Sequence, residues 1–217
     1  MPRDEAAWRR LGQTLEIMKA ILFPLAASLL VCACAVRMHQ YYLPTDSTLA
    51  KEGSVCGSIP FGSARIPLGE TLHATISATP SENNIALSIQ LPLPLGAKVR
   101  FLKPELAIES SGIGRISSGR LAPFRISVYG GSGQPSHHEY LDSSTLLEGK
   151  GRNLRLATAE TQYLKSDLFV SGTVIAIAPP ESVVLVFPAV EVNGTVIKEQ
   201  RIPLRLVRKT GVLACVQ

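Results

Sequence analysis

At 217 residues, 46% hydrophobic and only 18% charged, the chain is too apolar for a disordered protein and long enough to bury one sizeable core. Its 22 Lys and Arg against 17 Asp and Glu leave a formal net charge of +5. That mild excess suits a domain near an anionic surface and argues against the dense basic stripe of a nucleic-acid binder, so no nucleic-acid partner is expected.

The first element is the uncharged run from Ala20 to Val36, 17 residues interrupted by Pro24. A spanning helix needs about 20 apolar residues, so the run is short for a permanent span. A secretory apolar core of about 7–15 residues fits Ile21 to Val31, with Arg9, Arg10 and Lys19 as its positive flank. Residues 1–17 carry Asp4, Glu5 and Glu16, which makes Met18-Lys19 the more ordinary start of such a signal. Those residues are left out of the fold reading. An uncleaved signal anchor and a plain secretion signal fit the same run. Its exit is more specific: Val31-Cys32-Ala33-Cys34 sets a small residue directly before a cysteine.

This exit resembles the lipobox of bacterial lipoproteins, and the resemblance covers about residues 18–35. It implies that Cys34 becomes diacylated and that residues 1–33 are removed as a signal peptide, with Ala33 the last to go. Cleavage before Cys32 would leave Val31 where a small side chain is wanted. Acyl chains contribute about 0.8 kcal/mol per buried methylene, so the implied partner is the lipid bilayer, held through Cys34 without a spanning helix. The class also implies the outer membrane, because Ala35 is not the aspartate associated with inner-membrane retention. The domain would then face the periplasm or the exterior. With Cys34 acylated and Cys32 removed, Cys56 and Cys215 remain. Export to an oxidising compartment implies a disulfide between them, which would close a long loop worth up to about 5 kcal/mol. Two buried free thiols are the alternative.

Residues 34–58 read as the acylated cysteine and a tether, since Pro44, Asp46, Glu52 and Gly53 interrupt any periodic run. Tyr41-Tyr42-Leu43 is its one apolar cluster, a hydrophobic foot for the domain or the lipid interface. From Ile59 the signal is period two. Leu72, Ala74, Ile76 and Ala78 alternate with Thr and Ser, and after a Pro80–Asn84 turn so do Ile85, Leu87, Ile89 and Leu91. Alternation of this kind is a half-buried strand, and the two segments predict a hairpin ended by Pro92 and Pro94. Further strands are expected around Val99–Phe101, Leu106–Ile108 and Phe124–Val128, with a weak one at Leu146. Ser110–Gly119 and Gly130–His138 read as loops.

The C-terminal third predicts a central strand over Leu168–Ala178 and a long hairpin, Ser182–Val192 and Thr195–Val207, with a final strand over Val212–Val216. Asn193-Gly194 is the strongest turn signal, because a type I′ turn needs positive φ at both positions. Val183, Leu185, Phe187, Ile202, Leu204 and Leu206 are expected inside; Arg201, Pro203 and Arg205 are expected outside. Turn signals recurring along an all-β pattern predict one antiparallel β-sandwich over residues 59–217, immunoglobulin-like in the loose sense, with about 8–11 strands.

Chemistry is thinly signalled. His137-His138-Glu139 beside the glycine-rich loop is the one polar cluster to test, but neighbours on a strand face opposite ways, so both histidines could serve one ligand only from a loop, with His73 joining from elsewhere. No HExxH, zinc-finger spacing, nucleophile elbow or phosphate loop is present. No cofactor, metal or catalytic residue is therefore expected. Arg201, Arg205 and Lys209 share one strand parity, with Arg208 nearby, and could form a basic patch for headgroups or an acidic partner. The leading expectation is a non-enzymatic envelope lipoprotein whose sandwich is a protein-interaction or assembly module for another envelope protein. The alternatives are a ligand-binding lipoprotein using the Gly130–His138 loop and an enzyme whose site is assembled from distant loops.

Overall fold

The structure is a computed structural model, and it describes residues 36–55, 59–110, 114, 116–129, 135–153 and 166–212. The described residues are all-β and contain no helix. In chain order the strands are β1 (Val36–Pro44), β2 (Ala50–Val55), β3 (Ile59–Leu68), β4 (Leu72–Pro80), β5 (Ile85–Pro94), β6 (Lys98–Phe101), β7 (Glu105–Ser110) and β8 (Ile116–Arg120). They continue as β9 (Phe124–Tyr129), β10 (Pro135–Leu141), β11 (Leu147–Glu148), β12 (Ser166–Ile175), β13 (Ser182–Phe187), β14 (Val190–Val192), β15 (Thr195–Ile197) and β16 (Gln200–Val212). They build a seven-stranded sheet, β10-β9-β12-β5-β4-β3-β2, a five-stranded sheet, β1-β16-β13-β7-β8, and a four-stranded sheet, β11-β6-β14-β15. Every pairing is antiparallel.

Period-two burial generates the core. β5 buries Ile85, Leu87, Ile89, Leu91 and Leu93, and β4 buries Leu72, Ala74, Ile76 and Ala78. These faces pack on Leu106 and Ile108 of β7 and on Val183, Leu185 and Phe187 of β13, so the sheets form a β-sandwich around one hydrophobic cluster. The predicted hairpin exists, with Pro80 opposite Ile85. β5 nevertheless runs through Pro92 and Pro94, which pair with Leu168 and Ser166 of β12. Its ladder with β4 stops at Gln90, so both prolines sit where one edge of the strand is open and a missing N–H costs little.

The C-terminal hairpin is the hinge between two sheets rather than a simple ribbon. Pro188 and Ala189 split its first arm into β13 and β14, and Lys198 and Glu199 split its second into β15 and β16. A matching break at Leu102–Pro104 separates β6 from β7, and Leu102 N–H donates to the Ala189 carbonyl at 3.1 Å across it. Proline cannot donate to a ladder, so Pro104 and Pro188 crease what would otherwise be one sheet. The expected inner set holds: Val183, Leu185, Phe187, Ile202 and Leu204 are buried, and Leu206 is partly buried against the core. Asn193 and Gly194 have φ of 49° and 86°, as the turn requires. Nothing lies within 4 Å of a Cβ built on Gly194. Gly194→Val should therefore cost only the conformational penalty, about 1–3 kcal/mol, read as a lower thermal midpoint.

The expected tether is not one. Residues 36–55 form β1 and β2, and the sandwich begins at Val36 rather than at residue 59. Tyr41, Tyr42 and Leu43 are all buried, because β1 pairs along β16 on one side and packs over β3 on the other. Over Tyr41–Pro44 the strand is covered on both faces and shows no alternation, which hid it in the sequence. A Cβ at Gly62 would run into the Tyr41 ring and Leu43, so glycine permits this close approach. The described ends of two expected loops are likewise edge strands, while residues 111–113, 115 and 130–134 lie outside the described residues. β8 occupies part of Ser110–Gly119, and β10 takes residues 135–138 of the Gly130–His138 stretch.

The Tyr42 hydroxyl donates to the Pro180 carbonyl at 2.6 Å. Burial pushes its phenol up to about 12 from 10.0; Glu181 acts in the same direction and Arg208 opposes it. Since the folded value lies above the unfolded one, the contribution is complete below pH 10 and is lost as pH rises toward 12. Tyr42→Phe should flatten that part of a stability–pH profile, while costing about 1 kcal/mol at neutral pH for the lost hydrogen bond.

Candidate functional site

The His137-His138-Glu139 cluster lies in β10, not in a loop. Its strand geometry sends His138 to one face, where Nδ1 lies 3.2 Å from Ser127 Oγ, and His137 with Glu139 to the other. His137 Nε2 is 3.9 Å from Glu139 Oε1. The two histidines therefore cannot share a ligand, as alternation requires. His73 is on β4, four strands away in the sheet order, which at about 4.8 Å per strand is too far to join them. Among the described residues no group of three or more His, Cys, Asp or Glu could hold a metal.

Glu139 instead belongs to an ion network that the sequence did not signal. Its Oε2 accepts from Arg152 Nε at 2.8 Å. Arg152 Nη1 donates to Asp167 Oδ2 at 2.5 Å, and the guanidinium sits 5.8 Å from the Phe169 ring centroid. Asp167 is fully buried and also accepts the backbone N–H of Lys150 and Arg152, each at 2.8 Å. Beside it the Asn153 side chain accepts from Tyr129 N–H at 2.9 Å and donates to the Ser127 carbonyl at 3.0 Å. β9 pairs with β12 only at Ile126 and Arg125, so Asn153 acts as a strand partner where the two diverge. The arrangement ties β10, β12 and the 149–153 turn together. A useful sequence cue was Asp167: it shares the inward parity of Phe169, and a carboxylate at such a position must find donors.

The expected basic patch on β16 is largely neutralised. Arg201 pairs with Glu109 and Glu199, Arg208 holds Glu181 through two bonds of 2.7 and 3.1 Å, and Lys209 reaches both Glu52 oxygens at 3.0 Å. The Arg208 hydrogen bond holds the Glu181 carboxyl below the usual range, and the Lys209 hydrogen bond does the same for Glu52. Arg205 is exposed on the outer side, as expected, and adds to the field that lowers Glu52. Apart from the neighbouring Glu199, the acids come from β7, β2 and the turn before β13, so parity along β16 alone could not reveal them. Cys34, Cys56 and Cys215 lie outside the described residues.

A cleft of about 600 Å³ opens between β1, the β4–β5 turn and β16, with Met38, His39, Glu82 and Arg208 on its walls. His39 Nε2 is buried without a hydrogen-bond partner. An unpaired buried nitrogen is costly, which makes this cleft the described place where a polar group from water or a ligand is most needed. Comparison with protein-family models, with curated proteins and with solved structures finds no match to this chain.

Proposed function

We propose that the chain is a bacterial envelope lipoprotein, acylated at Cys34 and held at the outer membrane. Its β-sandwich serves as a non-enzymatic interaction or assembly module for another envelope protein. The observation that supports this reading best is the junction of signal and fold. The lipobox-type exit ends at Cys34, and β1 starts at Val36 with its whole length paired to β16. A lipid on Cys34 would thus hang from a strand that is stitched into the sandwich, and the domain would ride directly on the bilayer. The Cys56–Cys215 disulfide remains part of the proposal. Its support is the Lys209–Glu52 pair, which joins the strands that lead toward both cysteines.

Cys34→Ser should abolish acylation, so that the uncut precursor accumulates and the lipidated form vanishes from membrane fractions. Normal processing of that variant would sink the proposal. A second reading, a ligand-binding lipoprotein, draws support from the His39 cleft, residues 130–134 of the Gly130–His138 stretch lying outside the described residues, and His39→Phe should then abolish ligand capture without unfolding the domain.

A further inference from the structure

The outer face of the seven-stranded sheet has an unusual charge balance. Its strands carry three carboxylates, Glu52, Glu139 and Asp167, and the register turns all three to the inner side, where Lys209 or Arg152 neutralises them. The described outward positions of β2–β5, β9, β10 and β12 hold no carboxylate. Lys51, Arg65 and Arg125 do face that way, and none of the three is in an ion pair among the described residues.

Three of the outward groups are close together. Lys51 opposes Ser63, Arg65 opposes Thr75, and His73 opposes Pro67. Lys51, Arg65 and His73 therefore step diagonally across three adjacent strands, two residues per strand, and diagonal neighbours of about 7–8 Å are within reach of long side chains. Arg65 Nη2 lies 3.2 Å from His73 Nδ1. A guanidinium only donates, so Nδ1 must accept and the proton must sit on Nε2, which leaves His73 as a donor as well. The remaining Arg65 N–H groups, His73 Nε2–H and the Lys51 ammonium form a set of donors with no acceptor among the described residues. A cleft of about 300 Å³ is lined by Arg65 and His73 together with Thr48, Gly69, Thr71 and one rim acid, Glu70, with Lys51 on the next strand outside its wall.

We propose that Lys51, Arg65 and His73 form a binding site for a phosphate-type oxyanion. Donors arriving from three strands match a tetrahedral anion with three free oxygens better than a carboxylate with two, and the arginine fork suits two of those oxygens. Burial and then the charges of Arg65 and Lys51 hold His73 below its usual range. A bound anion would reverse that, raising the value. The same chemistry is offered by a free phosphate or phosphomonoester and by a phospholipid headgroup. The site does not depend on the lipoprotein reading, since its donors belong to the folded sheet alone.

The test uses the full chain in neutral detergent micelles, following the His73 ring signals by NMR against inorganic phosphate or against phosphatidylglycerol doped into the micelles. A saturable shift, with the His73 titration moved to higher pH, is the expected result. A response to inorganic phosphate would identify a soluble ligand, and a response only to phosphatidylglycerol would identify a headgroup. Arg65→Gln should weaken binding about tenfold or more, the factor for one lost charge-assisted contact. Arg65→Lys should also weaken it by losing the fork, and Arg125→Gln, on the same face but distant, should leave it unchanged. Silence of His73 toward both probes overturns the proposal. So does equal weakening by Arg65→Gln and Arg125→Gln, or full binding by Arg65→Lys, because each would mean diffuse surface charge.

Discussion

Asp167→Ala should destabilise the protein by about 3–5 kcal/mol, the cost of breaking a buried ion pair from one side. The carboxylate is fully buried and accepts three hydrogen bonds, from Arg152 Nη1 and from the backbone N–H of Lys150 and Arg152. Its removal strands two part-buried backbone donors and leaves a guanidinium, only 11% exposed, with Glu139 as its remaining acidic partner. Arg152→Met should cost less, because Asp167 keeps its two backbone donors and the methionine stem still covers Phe169. Asp167→Leu combined with Arg152→Met should recover part of the loss, since an apolar pair of similar volume avoids the desolvation penalty. Urea melts of wild type, Asp167→Leu, Arg152→Met and the double variant close the cycle and give the coupling directly. Equal, additive losses for the single variants would show that the network is not the clamp described here.

Phe101→Ala should have a comparable effect, about 3–5 kcal/mol. Phe101 lies on β6, and its ring meets Phe124 of β9 at 5.5 Å and Phe187 of β13 at 6.0 Å. These three residues come from the four-, seven- and five-stranded sheets respectively, so one side chain joins all the layers at the crease. Truncation would open a cavity bounded by paired strands that cannot collapse into it. Phe101→Leu, which keeps most of the volume, should cost less than about 1.5 kcal/mol. If thermal melts show both variants near wild type, the crease is not packed as described.

Much of the fold was readable because antiparallel strands with one wet face advertise themselves. β4, β5, β9 and both arms of the C-terminal hairpin follow their alternation, and Asn193-Gly194 marks the turn. What escaped did so for physical reasons. β1 is buried on both faces over Tyr41–Pro44, and β8 and β10 are edge strands with too little apolar alternation to count. The break at Pro104 is legible between two short apolar runs, but Pro188 reads as part of one arm, Ser182–Val192, because the apolar run resumes at once beyond it. The polar sites were less legible still. Arg152 finds Asp167 and Glu139 from different strands, and the β16 cations find acids on β7 and β2. Cross-strand register decides these partnerships, and a single strand's parity does not encode register. The Lys51–Arg65–His73 diagonal was hidden in the same way, since its members are far apart in sequence and meet only through pairing.

The most direct test of the proposed anchoring is the intact mass of the wild-type protein extracted from membranes, together with fragmentation of its N-terminal peptide. The account predicts a chain that begins at Cys34 and carries a diacylglyceryl thioether on that cysteine. An unmodified Cys34, or a chain that keeps residues 18–33, would contradict it.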